Sequence, residues 1–305
     1  MAGNPAVSPF AELRRTLTGI LPPATTPFDR AGNLMASALA EQMNFLLERG
    51  ANGVIVGGST GEGHTLDLKE FVAAVAAAHD AVGGRKPLVA GLIVNSTLQA
   101  IERAKALAGL NVAALQITPA HYLFKPSADA TLAHFRAIYQ AVGIPIIIYN
   151  VIPWNYLSVP LMLRIMREEP GVIGMKQSGG DLDSVSLLVQ QVEPHNLVLT
   201  GVDALLYPAF VIGVHGAICG LTAALPGVCA RMWDAVQQKD LDTARHLHRC
   251  LGTLWNSMPH DVMPAAVKYI QHRQGLGMHY PRPPMDQVGE EVKASIDKAL
   301  APLLR

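Results

Sequence analysis

The segment Gly171-Val172-Ile173-Gly174-Met175-Lys176-Gln177-Ser178-Gly179-Gly180-Asp181 holds the side chain with the greatest chemical reach in this sequence. Val172 to Met175 is a short apolar run, bounded by Pro170-Gly171 before it and Gly179-Gly180 after, which is the pattern of a buried strand. Lys176 falls where that strand runs out. Lysine is almost never buried without a partner, so the ordinary reading is a surface lysine that opens a loop. The other reading is an amine in an apolar pocket, where desolvation disfavours the ammonium. A neutral amine can attack a ketone and form a Schiff base. Two more groups stand at strand ends. Tyr149 closes the run Ile144-Pro145-Ile146-Ile147-Ile148-Tyr149-Asn150, one strand earlier, and its hydroxyl can pass protons. Ser59 and Thr60 follow Gly53-Val54-Ile55-Val56 in the turn Gly57-Gly58-Ser59-Thr60-Gly61-Glu62, and such a Gly-rich turn can aim backbone N–H groups at a carboxylate. Taken singly, a strand-end tyrosine is more often a packing residue, and a Gly-rich turn is more often only a turn. Their combination with the lysine is much less ordinary.

The elements that must position these groups repeat along the chain. Apolar strands are expected at 19–21, 53–56, 87–91, 112–117, 144–150, 172–176, 197–199 and 216–219. Helical spacing fills the intervals at 35–49, 67–82, 98–107, 128–142, 159–168, 182–192 and 203–212, with Asp67 and Glu70 forming a capping box. Eight continuous apolar strands alternating with helices predict an α/β fold with a parallel sheet covered by helices. The count fits a (β/α)8 TIM barrel, ordinarily about 250 residues, whose active sites collect at the C-terminal ends of the strands. An open doubly wound sheet would more often show a GxGxxG turn after its first strand, and none is present. The expected division is an N-terminal arm at 1–16, a barrel carrying the site at 17–226, and a C-terminal helical extension at 227–305 with helices at 232–258, 265–274 and 288–304.

Bulk properties narrow the function. The 305 residues are 50% hydrophobic with a formal net charge of zero, which leaves no electrostatic footprint for nucleic acid or an anionic membrane. No uninterrupted apolar stretch would span a bilayer. Met1 to Phe10 lacks the basic and apolar regions of a signal peptide and reads as a loose arm. Cys219, Cys229 and Cys250 have no metal-ligand spacing and cannot all pair, so reduced thiols in a cytoplasmic protein are expected. The eleven histidines are scattered, and His246 and His248 would face different ways on one helix. Metal catalysis is therefore not expected, nor is a cofactor. Gly201 and Gly220 are thin support for a phosphate site after strands seven and eight.

Gly58-Ser59-Thr60-Gly61-Glu62, Tyr149-Asn150-Val151 and Gly174-Met175-Lys176-Gln177, in this order and spacing, resemble the three signatures of the dihydrodipicolinate synthase/N-acetylneuraminate lyase family. The likeness covers nearly the whole chain. It implies a Schiff-base, pyruvate-handling class I lyase on a (β/α)8 barrel, assembled as a homotetramer built from dimers, taking a 2-oxo acid and an aldehyde. It further implies that Lys176 forms the imine, Tyr149 shuttles protons, and the Thr60 hydroxyl links that chain. The N–H groups of Ser59 and Thr60 would hold the carboxylate, with Gly201, Ile218 and Ser178 on the substrate side. Two branches of the family are marked by residues that depart here. The synthases carry an arginine shortly after Tyr-Asn-Val-Pro, whereas this chain reads Val151-Ile152-Pro153-Trp154-Asn155-Tyr156. Lys125 and Arg282 are the cations that loops could bring in instead. The sialic acid branch carries an acidic residue where Ala204 follows Asp203. Synthases also reach across a subunit interface with a tyrosine, for which Tyr122 is the nearest candidate. Trp154, Tyr156 and Phe124 suggest a more aromatic second-substrate pocket. Carbon–carbon bond cleavage or formation is the expected reaction. Dihydrodipicolinate synthesis, dehydration or deamination of a 2-keto-3-deoxy sugar acid, and non-catalytic binding are the alternatives.

Overall fold

The computed structural model describes residues 10–304 except His121. Strand and helix alternate from β1 (Gly19–Ile20) and α2 (Ala36–Glu48), which follow a short α1 (Ala11–Thr16). Then come β2 (Val54–Val56), α3 (Leu68–Val82), β3 (Leu88–Leu92), α4 (Thr97–Lys105), β4 (Ala114–Ile117) and α5 (Ala128–Val142). The second half runs through β5 (Ile146–Asn150), α6 (Val159–Glu168), β6 (Val172–Gln177), α7 (Leu182–Gln191), β7 (Leu197–Thr200), α8 (Leu206–Ile212) and β8 (Gly216–Ala217). All eight strands are parallel, in the order β1-β8-β7-β6-β5-β4-β3-β2, so each strand except at one seam lies beside its sequence neighbour. The sheet curls as a (β/α)8 fold requires, but its ladder does not run on from β1 to β2. These edges meet at one parallel bridge, Pro23–Ile55. Asn52 N–H donates to Ile20 O and Ile55 N–H to Pro22 O. Pro22 and Pro23 have no N–H to give back, which removes ladder donors on that side.

Strand composition explains the layering. Side chains on one face of the sheet, Leu21, Ile55, Val89, Ala114, Ile147, Leu197, Leu199 and Ile218, form an inner apolar cluster. Their alternate neighbours, such as Val54, Val56, Leu88, Ala90, Leu115, Ile117, Ile146 and Ile148, meet the helices, as the period of two demands. Helix α2 buries Leu39, Met43 and Leu46 on one stripe, each worth about 1.5–3 kcal/mol relative to exposure. Asp67 and Glu70 make the expected capping box at the start of α3.

Two expectations need correction. Residues 11–16, assigned to the N-terminal arm, form α1; beside it Leu17 joins the inner cluster, against which Phe10 and Leu13 pack. Residues 1–9 of that arm lie outside the described residues. The helix expected at 232–258 is two helices, α10 (Pro226–Gln237) and α11 (Leu241–Asn256), after a short α9 (Gly220–Ala224). The chain turns at Lys239, whose φ is 63°, and Asp240 caps α11 by accepting from Thr243 N–H. Two more helices, α12 (Met263–His272) and α13 (Glu290–Leu300), complete the C-terminal region, with α12 on α9 and α13 on α11. Among the described residues, no helix is long and apolar enough to cross a membrane. Cys219, Cys229 and Cys250 are all free thiols.

Candidate active site

The pairing of β5 with β6 decides where Lys176 points. Ile146 pairs with Val172, but Ile147 pairs with Gly174, so Ile173 is an extra residue. Such a bulge re-aims the side chains beyond it. In the shifted register Tyr149 lies opposite Lys176 and Asn150 opposite Gln177. Were the pairing to continue unshifted through Ile173, Tyr149 would face Met175, and Lys176 would point into the helical shell. Gly174 is what lets β7 approach at the bulge, since a Cβ there would lie 2.6 Å from Leu197 O.

Lys176 is consequently buried, at 5% exposure. Its Nζ lies 3.9 Å from the centroid of the Tyr149 ring. Among the described residues, no carboxylate comes within ion-pairing distance of it. Gly201, after β7, packs directly on this side chain: a Cβ there would sit 2.6 Å from Lys176 Cε and would strike Ser178 Oγ. The Ser178 hydroxyl is buried and has no hydrogen-bond partner among the described residues. The lysine, Gly201 and Ser178 therefore share one spot, and any larger side chain at residue 201 would displace the amine.

Tyr149 OH is 3.0 Å from Ser59 Oγ. The hydroxyl against the tyrosine is thus that of Ser59, where the resemblance implied Thr60. Thr60 is buried in the same turn. The turn's own hydrogen bonds use the N–H groups of Gly61, Glu62 and Gly63, which donate to Gly58 O or Ser59 O. The N–H groups of Ser59 and Thr60 take no part in them. The turn is pinned from behind. Glu62 sits at φ 52°, a left-handed conformation uncommon outside glycine, and both of its carboxylate oxygens are held. Lys268 Nζ donates to Oε1 at 2.5 Å and Arg282 N–H to Oε2 at 2.8 Å.

Around this group the remaining predicted residues fall in different places. Ile218 is fully buried in the inner cluster. Asp203, after β7, is buried, and burial raises its carboxyl above the usual range, against hydrogen bonds from Leu221 N–H and Cys219 and the charge of Lys176. Burial, and then the nearby Tyr149, push the Tyr156 hydroxyl up. Tyr122 is 66% exposed and does not join the cluster; its carbonyl accepts from Trp154 Nε1, which ties the loop after β4 to the loop after β5. Asn155 reinforces that tie by donating to Ala120 O. Arg282 is committed elsewhere: its guanidinium pairs with Glu70 and donates to Gly32 O and Thr65 O. Lys125 is exposed.

Sequence reading passed over Asn150, Gln177 and Gln116. Asn150 Nδ2 donates to Gln177 Oε1, and Gln177 Nε2 to Ser184 Oγ, which fixes the strand ends flanking Lys176. Gln116 is fully buried on β4. Its signal was available: it is the single polar residue of an otherwise apolar strand.

Comparison with known proteins agrees with this arrangement. The profile of the Dihydrodipicolinate synthetase family matches residues 16–302. The chain belongs to this family. Its members are class I Schiff-base lyases, and this chain is an enzyme of that kind. It is 36% identical to the 4-hydroxy-tetrahydrodipicolinate synthase of Methylobacterium radiotolerans over 294 residues, 95% of each chain. Identity to the enzyme of the same name from Methanopyrus kandleri is 31% over 291 residues, 94% of this chain and 96% of that one. Among solved structures, a putative dihydrodipicolinate synthetase from Pseudomonas aeruginosa superposes with a TM-score of 0.89 at 27% identity, covering 94% of this chain and 99% of the other.

Proposed function

We propose that this enzyme forms an imine between Lys176 and pyruvate, or a pyruvate-derived 2-oxo acid, and makes or breaks a carbon–carbon bond beside it. The observation that carries this reading is the bulge-directed Lys176 amine lying on Tyr149, whose hydroxyl in turn meets Ser59. Nζ attacks the 2-oxo carbon, and loss of water gives the imine. Tyr149 and Ser59 relay the protons that these steps move. The free N–H groups of Ser59 and Thr60 take the carboxylate, and Gly201 leaves room for the amine. The iminium then accepts the electron pair of the bond that breaks to release the aldehyde, or supplies an enamine that adds to it. No metal or cofactor has a part in this scheme.

The names of the relatives favour a second reading, 4-hydroxy-tetrahydrodipicolinate synthesis. Against it stands the second substrate's carboxylate. The segment after Tyr149 offers no arginine, and Arg282 is held by Glu70. A buried charge left unpaired costs several kcal/mol, so a cleavage or aldol reaction with an uncharged, aromatic-tolerant aldehyde is the better fit. Exposed Tyr122, Leu123, Phe124 and Trp154 support a face covered by another copy in a homotetramer, which light scattering checks. The mechanism is tested by borohydride with pyruvate: the wild type gains the mass of a reduced imine on Lys176, and Lys176→Ala does not. An unmodified wild type overturns it. Turnover of pyruvate with aspartate semialdehyde at ordinary enzyme rates, with none of a panel of 2-oxo-acid aldols, would decide for the synthase.

A further inference from the structure

Gln116 has no counterpart among the groups used so far. Along β4, Leu115 and Ile117 face the helices while Ala114 belongs to the inner cluster. Gln116, two residues on from Ala114, therefore also faces inward. It lies between Gly91 of β3 and Ile147 of β5, and Tyr149 is the next inward residue of β5. Gly57, Gly58 and Gly91 present no side chain to it. A Cβ on Gly58, the residue before Ser59, would lie 3.9 Å from Gln116 Nε2. The amide thus reaches under the turn that carries the free N–H groups of Ser59 and Thr60.

Both polar atoms of this fully buried amide, Oε1 and Nε2, lack a hydrogen-bond partner among the described residues. An unsatisfied buried polar group is costly, and nearly all buried polar groups in native proteins have a partner. An apolar residue would fill this layer at no such cost, as Ala114, Ile147 and Leu197 do nearby. A glycine at residue 58 leaves no side chain between the amide and the turn.

We propose that Gln116 is a substrate-binding residue at the floor of the site. Its Nε2–H2 donates, directly or across one ordered water, to the carboxylate of the 2-oxo acid seated on the Ser59–Thr60 turn. The inference rests on the Schiff-base reading and adds a requirement to it. The substrate must carry a free carboxylate beside its ketone, because an ester or a simple ketone leaves the amide unsatisfied.

Borohydride trapping as a function of pyruvate concentration tests this in the intact enzyme. Failure of the wild type to label at any concentration defeats the Schiff-base reading itself and says so separately. With a labelled wild type, Gln116→Met should raise the half-saturating pyruvate concentration tenfold or more. Labelling at saturation should stay near complete, and the free protein should melt no lower than the wild type. Gln116→Glu, which sets a carboxylate against a carboxylate, should raise it further. Half-saturation reads only folded molecules, so a poorly folding Met variant still reports, and Gln116→Leu repeats the measurement with a second apolar shape. Unchanged half-saturation in the Met and Leu variants overturns the proposal and makes Gln116 a packing residue.

Discussion

Two lysines are buried among the described residues, and they live by opposite rules. Lys268 on α12 is 1% exposed. Its ammonium is gripped by Glu62 Oε1 and Tyr280 O, and lies over the Phe28 ring. Burial, opposed by Glu62, lowers it to about 8, so it is charged at neutral pH, and two of its three donors are engaged. Lys176 is buried almost as deeply and, among the described residues, has neither carboxylate nor carbonyl on its Nζ; it lies against an aromatic face, a glycine and a serine hydroxyl that has no partner among those residues. The difference teaches how one chain separates holding from reacting. The first lysine fastens the back of the Gly58–Glu62 turn through charge compensation. The second lies on Tyr149, whose hydroxyl meets Ser59 at the front of the same turn, and is left uncompensated, as the proposed attack on a ketone requires.

The sharpest way to break this contrast is to remove each lysine in turn and read two quantities. Lys176→Met should abolish turnover and pyruvate trapping while leaving the chemical denaturation midpoint the same or higher, because an uncompensated buried amine is replaced by a packed side chain. A variant that lost several kcal/mol of stability would mean that this lysine is structural like the other. Lys268→Met should cost about 3–5 kcal/mol of stability by stranding the Glu62 carboxylate, measurable by urea unfolding. Adding Glu62→Gln should recover part of that loss. Tyr149→Phe comes next: kcat should fall about a hundredfold, within the usual range for a lost proton-transfer group, with the Lys176 adduct still formed. Loss of the adduct would show instead that the ring is needed to place the amine.

The smallest effect concerns a third buried base, His134 on α5. Thr97 Oγ1 contacts its Nδ1 at 2.9 Å. Burial, partly opposed by a backbone hydrogen bond at Thr118, lowers it to about 4 from an ordinary 6.5. Between pH 6.5 and 4 the unfolded chain binds this proton and the folded chain does not, so stability falls as pH drops through that window. The steepest slope is about 1.4 kcal/mol per pH unit. His134→Gln should flatten the urea midpoint between pH 7 and 4.5. An equally steep curve in the variant would assign the acid sensitivity to other groups.

What could be read from the chain follows from how local each signal is. The strands are short apolar runs punctuated by glycine and proline, so their number, order and ends were legible, and with them Lys176, Tyr149 and the Ser59–Thr60 turn. The break between α10 and α11 was not, because it rests on Lys239 in a left-handed conformation that its residue type does not announce. Nor was the grip of Lys268 on Glu62, which joins residues 206 apart and exists only once α12 has packed. The choice between Ser59 and Thr60 as the neighbour of Tyr149 depends on how the turn winds, a matter of one residue. The loop holding Tyr122 stands away from the cluster in a single chain, where only the family likeness had placed it near a site.

The extra residue in β6 has a consequence beyond its geometry. Along a strand, inward and outward alternate like even and odd numbers, and Ile173 changes the parity of everything after it. The reactivity proposed for residue 176 is therefore a property of counting as much as of side-chain identity. A designer who copied Val172 to Lys176 onto a regular strand, with Val172 kept outward, would deliver the lysine to the wrong side of the wall. Inserting one residue between Met175 and Lys176 should silence the enzyme with all its functional side chains still present in the sequence.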